Sequence, residues 1–189
     1  HVMTNGDQEL ADRIADDIVL DALERFWAEA SRRYRGRGAL FAYDLLNEPS
    51  VGWDTDAMRP KWHAWVRDRH GSVSAAAKAW GIDAGADGEP PVPPADPAPG
   101  SAHLLDYQRF RESIADEWTR RQAAAIREAD PDAFVTVGAI QWAIPYLLPS
   151  ISHYAAFRPA RQAEFLDFLS FHFYPLAEGM YQYEGAAAC

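Results

Sequence analysis

The sequence predicts an α/β fold built on a parallel sheet. Three observations predict it. Short apolar runs at Ala39–Leu46, at "FVTVGAI" and at about Phe168 to Tyr174 read as strands. The segments between them carry helical periodicity. The first run is almost continuously hydrophobic, as in a strand covered on both faces. Strands separated by helices form βαβ units. An open doubly wound sheet and a closed barrel both satisfy this order, and in either one functional groups collect at the carboxyl ends of the strands.

From about Asp16 to Tyr34, Ile18, Leu23, Phe26, Trp27, Ala30 and Tyr34 recur at spacings that predict one apolar helix face. "GRG" stops this helix, and the arginines before it suit its negative end. The first strand follows. "DAMRPKWHAWVRDRHG" and "SVSAAAKAWG" then predict two short helical pieces, each ended by glycine. Residues 84–102 hold six of the thirteen prolines and no basic residue, which predicts an irregular loop insertion. A long helix from Leu104 to Ala129 carries Tyr107, Phe110, Ile114 and Trp118 along one face. "ADPDA" ends it, "FVTVGAI" gives the second strand, and "FLSFHFYP" gives the third after an irregular stretch.

Bulk properties exclude several functions. The 189 residues carry 28 acidic against 18 basic side chains, a net charge of −10, with no basic stripe of the kind nucleic acid requires. No apolar run approaches the roughly 20 residues of a membrane span. Cys189 is the only cysteine, which rules out an internal disulfide and a cysteine metal cage. No phosphate loop, paired-His helix or Gly-x-Ser-x-Gly elbow is present. The opening at His1 and the end in "EGAAAC" lead us to expect a piece of a longer protein.

The chemistry is expected at three strand ends. "ALFAYDLLNEPSVGW" delivers Asn47 and Glu48 at the tip of an apolar strand. A carboxyl placed there costs more to desolvate than one in a surface loop. Desolvation raises a carboxyl's pKa, which suits a general acid. Asn47 offers a donor and an acceptor beside it. The tripeptide Asn-Glu-Pro also suits a plain turn. In "FLSFHFYP", Leu169, Phe171 and Phe173 alternate with Ser170, His172 and Tyr174. Period two sends the two sets to opposite faces, so helices should cover the apolar set and the polar set should face the site. Gln141 and Trp142 follow the middle strand, and Trp53 follows Glu48. Trp53 and Trp142 are candidate platforms for the C–H faces of sugars, with packing onto the core as the other reading. Trp62, Trp65, Trp80 and Trp118 are assigned to the core, and His63 and His70 to the surface.

"FAYDLLNEP" resembles the fourth-strand signature of clan A glycoside hydrolases, the (β/α)8 TIM barrels that include family five cellulases and mannanases. "SFHFYP" resembles their sixth strand. "SVSAAAKAWG" and "DYQRFRESIADEWTRRQAAAIREADPDAFVTVG" are similar to segments of family forty-two β-galactosidases. The resemblance implies a partial barrel over 1–189, from about the third helix to the sixth strand. It implies a retaining hydrolase of β-linked saccharides, with Glu48 as acid/base and Asn47 on the substrate's 2-hydroxyl. His172 and Tyr174 would border the site, and no cofactor or metal is implied. The partner is an oligosaccharide or polysaccharide. The family's nucleophile, a glutamate ending the seventh strand, falls outside this chain, so the segment alone is expected to be inactive. Glu178 and Glu184 are poor substitutes, because nothing around them reads as a strand end. A non-catalytic carbohydrate-binding or interaction domain on the same scaffold is the alternative.

Overall fold

The computed structural model describes residues 14–49, 51, 53–84, 88–94, 100–140 and 156–172. Helix α1 (Asp17–Tyr34) begins at Asp16, whose Oδ1 accepts from the Ile18 N–H at 2.8 Å and so satisfies an orphan donor of the first turn. Arg32 and Arg33 sit in its last turn, where the dipole favours cations. Strand β1 (Ala42–Asn47) follows, then α2 (Met58–His70) and α3 (Val73–Trp80). Gly81 closes α3 in the left-handed conformation at φ 70°, and Ser72 caps its start. Helix α4 (Ala102–Ala129), strand β2 (Phe134–Ile140), a single helical turn α5 (Pro159–Gln162) and strand β3 (Ser170–His172) complete the order.

The three strands form one sheet in the order β1-β2-β3, with both pairings parallel. This matches the predicted order of helices and strands. Register partners share a face of the sheet. One face carries Tyr43 with Val135, both buried, and continues through Ala139 with Phe171. The other carries Asp44 with Thr136, then Gly138 with Ser170, and it ends at His172. The small and polar residues therefore gather on one side.

Helix α4 is the spine of the apolar side. Its 28 residues run about 42 Å, and Tyr107, Phe110, Ala115, Trp118, Ala123 and Ile126 are buried along it. Helix α1 lies against it. The Trp27 indole N–H donates to Gln122 Oε1 at 2.7 Å, and the Arg121 fork grips Glu24 and Asp21 at 2.7 and 2.6 Å. The buried edge of α1 is Val19, Leu20 and Ser31, whereas Ile18, Phe26 and Tyr34 are exposed. The predicted apolar face was thus rotated from the true one. The reason is that Trp27 seeks a polar partner on α4, and this fixes the helix about its axis.

Within the proline segment, the described Pro91 contacts this layer. The Pro91 carbonyl accepts from Trp62 Nε1 at 3.2 Å and lies 2.8 Å from His103 Nε2. A carbonyl only accepts, so His103 carries its hydrogen on Nε2. Burial holds His103 below the ordinary histidine range, so it is neutral there. Trp62 stacks on Trp80 at 5.8 Å, and Trp80 stacks on His103 at 4.3 Å. Trp62, Trp65, Trp80 and Trp118 are packing residues, as the sequence indicated. His63 and His70 are a correction, because their side chains are only 16% exposed. The last turn of α2 faces α3 and α4, and His70 Nε2 meets Asp106 at 2.8 Å.

Asp106 is the polar knot of the three helices. It accepts from Trp80 Nε1 at 3.0 Å and Arg69 Nε at 3.1 Å, besides its contact with His70. Burial alone would raise its pKa, but the Trp80 and His70 hydrogen bonds and the Arg69 charge together hold it below the carboxylate range. Asp116 shows the opposite balance. Burial pushes it up despite bonds from Arg161 at 3.1 Å and Gln162 at 3.0 Å. Among the described residues, no helix is long and apolar enough to cross a membrane.

A depressed pKa means that ionised Asp106 contributes stability above its unfolded pKa, and that this is lost as pH falls through the lower folded value. Asp106→Ala strands a buried indole N–H and leaves Arg69 and His70 without their shared acceptor. It should cost about 3 kcal/mol, read as a lowered thermal midpoint of the intact protein. The deficit relative to wild type should begin to shrink below about pH 4, where the unfolded carboxyl protonates, and should level off only below the lower folded value.

Candidate active site

Strand β1 does not run straight into its partner. Asp44 pairs with Thr136, but the next pair is Asn47 with Gly138, so β1 carries one residue more than β2 across this interval. This is a β-bulge. A one-residue slip exchanges the faces of a strand. Strict alternation would have placed Asn47 with Tyr43 and Leu45 under the helices. The bulge places it with Gly138 on the polar face instead, and Asn47 is exposed there.

Glu48 follows at once. Its N–H donates to the Gly138 carbonyl at 2.7 Å, so the backbone is still tied to β2. Its φ is +48°, in the left-handed region that costs a side-chain-bearing residue of order 1–3 kcal/mol. Only Glu48 and Ala156 among the described non-glycine residues adopt a positive φ. Such strain persists where the surroundings over-determine it. It directs the Glu48 side chain across β2 towards β3. There His172 Nδ1 lies 2.8 Å from Glu48 Oε1. The two side chains are 27% and 26% exposed, so they are open enough to be reached from solvent. When Glu48 is ionised it can only accept, and Nδ1 then carries the hydrogen.

The middle strand makes this contact possible. A Cβ at Gly138 would stand 2.9 Å from Asp44 Oδ2 and 3.0 Å from His172 Nε2. Any side chain there would push the outer strands' polar groups apart. Gly138 is thus a place where neighbouring side chains close over bare backbone. Asp44 and Gly138 were not among the residues singled out from the sequence. Two signals for them were present: an aspartate within an apolar strand, and a glycine inside another.

Asn47, Glu48 and His172 were each predicted to stand at a carboxyl strand end, and they do, on the two outer strands of the sheet. Ser170 shares the face of His172 as period two required. Phe171 lies on the opposite face but is exposed, as is Leu169, because among the described residues no helix covers them. Gln141, Trp142, Phe173, Tyr174, Glu178 and Glu184 lie outside the described residues. Trp53 is only 8% exposed and belongs to the hydrophobic core. The buried Arg111 guanidinium lies 5.6 Å from its ring centre and 5.1 Å from that of Tyr107. Burial pushes the Tyr107 hydroxyl up to about 12, so it stays neutral beside the cation. The Trp53 face is occupied by protein here rather than offered to a sugar. Among the described residues, no group of three or more carboxylate or imidazole side chains converges as metal ligands would.

Comparison with known proteins places this geometry. The sequence profile of the glycoside hydrolase family 42 β-galactosidases matches residues 15–187. The β-galactosidase Bga of Halorubrum lacusprofundi is 30% identical over 132 residues, which are 64% of this chain and 19% of that one. The structure of a polyextremophilic β-galactosidase from the same haloarchaeon superposes with a TM-score of 0.61 at 24% identity, covering 86% of this chain and 24% of that one. The β-galactosidase of Bacillus circulans sp. alkalophilus gives 0.65 at 18% identity, covering 88% and 25%. The chain therefore spans about a fifth to a quarter of the length of these relatives. These structures share its fold, and the three parallel strands with their helices are part of such a barrel.

Trp53→Ala removes a buried aromatic and a cation–π partner of Arg111. It should lower stability by about 3 kcal/mol, seen as a fall in the thermal midpoint of the intact protein. A residue acting only as a sugar platform would instead weaken ligand binding and leave the midpoint in place.

Proposed function

The chain belongs to glycoside hydrolase family 42, and on that premise we propose that the intact protein hydrolyses β-galactosides with retention, using Glu48 as its acid/base. Of the two families that the motifs resemble, it is family 42 that the chain matches. One observation carries the assignment of Glu48. An apolar strand ends in a strained carboxylate, held 2.8 Å from an imidazole at the end of another strand on the same sheet. A turn residue needs neither the strain nor the partner. The relatives named above are β-galactosidases, which supports a galactoside as the substrate class.

The reaction takes two displacements. A second carboxylate, supplied from outside this chain, attacks the anomeric carbon. The bond to the leaving oxygen breaks as Glu48 gives that oxygen its proton. A sugar ester forms, and Glu48 is left ionised. Glu48 then takes a proton from water, the water oxygen attacks the same carbon, and the ester bond breaks. Retention requires the two carboxylates to stand about 5–5.5 Å apart. His172 fixes the orientation of the Glu48 carboxylate. Asn47, turned to the open face by the bulge, is placed to hold a sugar hydroxyl beside the bond that breaks. Tyr174 takes the role that the resemblance implies for it, and Trp142 is the sugar platform that its position after the middle strand suggests.

Glu48→Gln in the full-length protein keeps shape and hydrogen bonding but removes the titrating proton. Hydrolysis of an unactivated galactoside should fall by about 10²–10⁴-fold. A dinitrophenyl galactoside needs little protonation, so its first step should be spared and a covalent intermediate should accumulate. Azide needs no base, and it should restore turnover with β-galactosyl azide as product. An unchanged ratio of rates on poor and good leaving groups would remove Glu48 from this role and favour the binding reading.

His172→Phe removes the partner of Glu48. It should lower kcat by about 10–100-fold, the equivalent of one charge-assisted hydrogen bond. His172→Asn, which places an amide donor near the position of Nδ1, should recover part of that loss. Steady-state kinetics of the two variants in the intact enzyme provide the check.

A further inference from the structure

Asp44 is a charged residue in the middle of an apolar strand. Tyr43 and Leu45 on either side of it are buried, while Asp44 lies on the polar face opposite Thr136. Its Oδ1 accepts from two backbone N–H groups, Gly138 at 2.9 Å and Leu46 at 3.3 Å. These are donors within the interval where the ladder between β1 and β2 is broken by the bulge. A bulge leaves backbone groups without their regular partners. Here one carboxylate oxygen takes both and ties the extra residue of β1 down onto β2.

The other oxygen faces the site. Oδ2 and His172 Nε2 both approach the empty position beside Gly138, at 2.9 and 3.0 Å from where its Cβ would stand. The opposite nitrogen of the same ring holds Glu48 at 2.8 Å. Asp44, Gly138, His172 and Glu48 thus form one continuous set of contacts across three strands. Backbone strain of the kind found at Glu48 persists only where its surroundings fix it. The Asp44 clamp is placed to do so, since it closes the bulge three residues before the strand ends.

We infer that Asp44 is a positioning residue for Glu48, closing the bulge onto Gly138 so that the Glu48 carboxylate is presented to His172 and to the leaving oxygen in one orientation. This rests on the acid/base reading of Glu48. In this role Asp44 touches no substrate.

The test compares kcat/KM on lactose and on a dinitrophenyl β-galactoside, using the full-length protein. The ratio of the two is independent of how much of a preparation is folded. Asp44→Ala removes the clamp and should depress the lactose value about 10–100-fold more than the activated one, because a misplaced acid matters only where protonation does. Asp44→Asn keeps an oxygen able to accept both N–H bonds and should recover most of the ratio. Gly138→Ala drives a methyl group against Asp44 and His172 and should shift the ratio in the same direction. It also carries the test if Asp44→Ala does not fold. A parallel loss on both substrates, or no loss, in these variants overturns the inference. Glu48→Gln serves as the control. If it changes the ratio and the Asp44 and Gly138 variants do not, only the role of Asp44 fails; if it does not change the ratio, the acid/base reading itself fails. Independently of activity, a crystal structure of Asp44→Ala should show the contact between Glu48 and His172 broken. Retention of that contact, with Glu48 still at positive φ, overturns the inference as well.

Discussion

Strands β1 and β2 are in register from Ala42 to Asp44 and again at Asn47, with one more residue on β1 than on β2 between these points. The face that Asn47 occupies and the aim of Glu48 follow from that extra residue. Without it, Asn47 would point under the helices with Tyr43 and Leu45, and the end of the strand would be aimed differently. With it, two successive polar side chains become usable at one strand end. The irregularity is held on both sides. Asp44 accepts from Gly138 before it, and the Glu48 N–H donates to the Gly138 carbonyl after it. Gly138 therefore uses both of its backbone groups on β1, and its lack of a side chain leaves room for His172. One middle-strand glycine thus serves the bulge, the strained glutamate and the histidine at once.

The helical layer behind the sheet is held by polar groups that burial alone would penalise. Gln122 is fully buried yet accepts from Trp27 and donates from Nε2 to the Trp118 carbonyl at 3.0 Å. Asp106 and Asp116 lie on the same helix with opposite balances. For Asp106, donors from two neighbouring helices outweigh desolvation. For Asp116, desolvation outweighs Arg161 and Gln162, and Arg161 is about half exposed, where solvent screens its charge. The first arrangement locks α2, α3 and α4 together, and α4 in turn supports α1 and the sheet. The strand that carries the site joins this stack through Tyr43 and Leu45, which lie in the same core, with Trp27 5.9 Å from Tyr43.

Membership in family 42 and the shared fold of the β-galactosidase structures account for the sheet being parallel. The exposed apolar side chains at Phe41, Phe134, Leu169 and Phe171 lie along the same sheet. In a closed barrel such positions meet neighbouring strands and helices. Phe41, Phe134 and Phe168 already gather at the amino ends of the strands, with ring centres 5.8 and 5.6 Å apart. That end is remote from Glu48, so apolar packing and polar chemistry are divided between the two ends of the strands.

The sequence by itself determined the alternation of helices and strands, their parallel arrangement, the stop signals at Gly71 and Gly81, and the candidacy of Asn47, Glu48 and His172. These were legible because periodicity, glycine stops and polar residues at apolar strand tips are local patterns. Tertiary structure alone decided three things. It kept Trp27 inward as the sequence indicated but turned α1 so that Val19, Leu20 and Ser31 are buried while Ile18 and Phe26 are not, since the choice depends on a partner 95 residues away. It buried Trp53 over Arg111, an outcome that the same residue in a looser loop would not share. And it decided which face Asn47 occupies, because a bulge is a property of two strands paired together. No pattern within β1 records the register of β2, so the roles of Asp44 and Gly138 emerge only when the two strands meet.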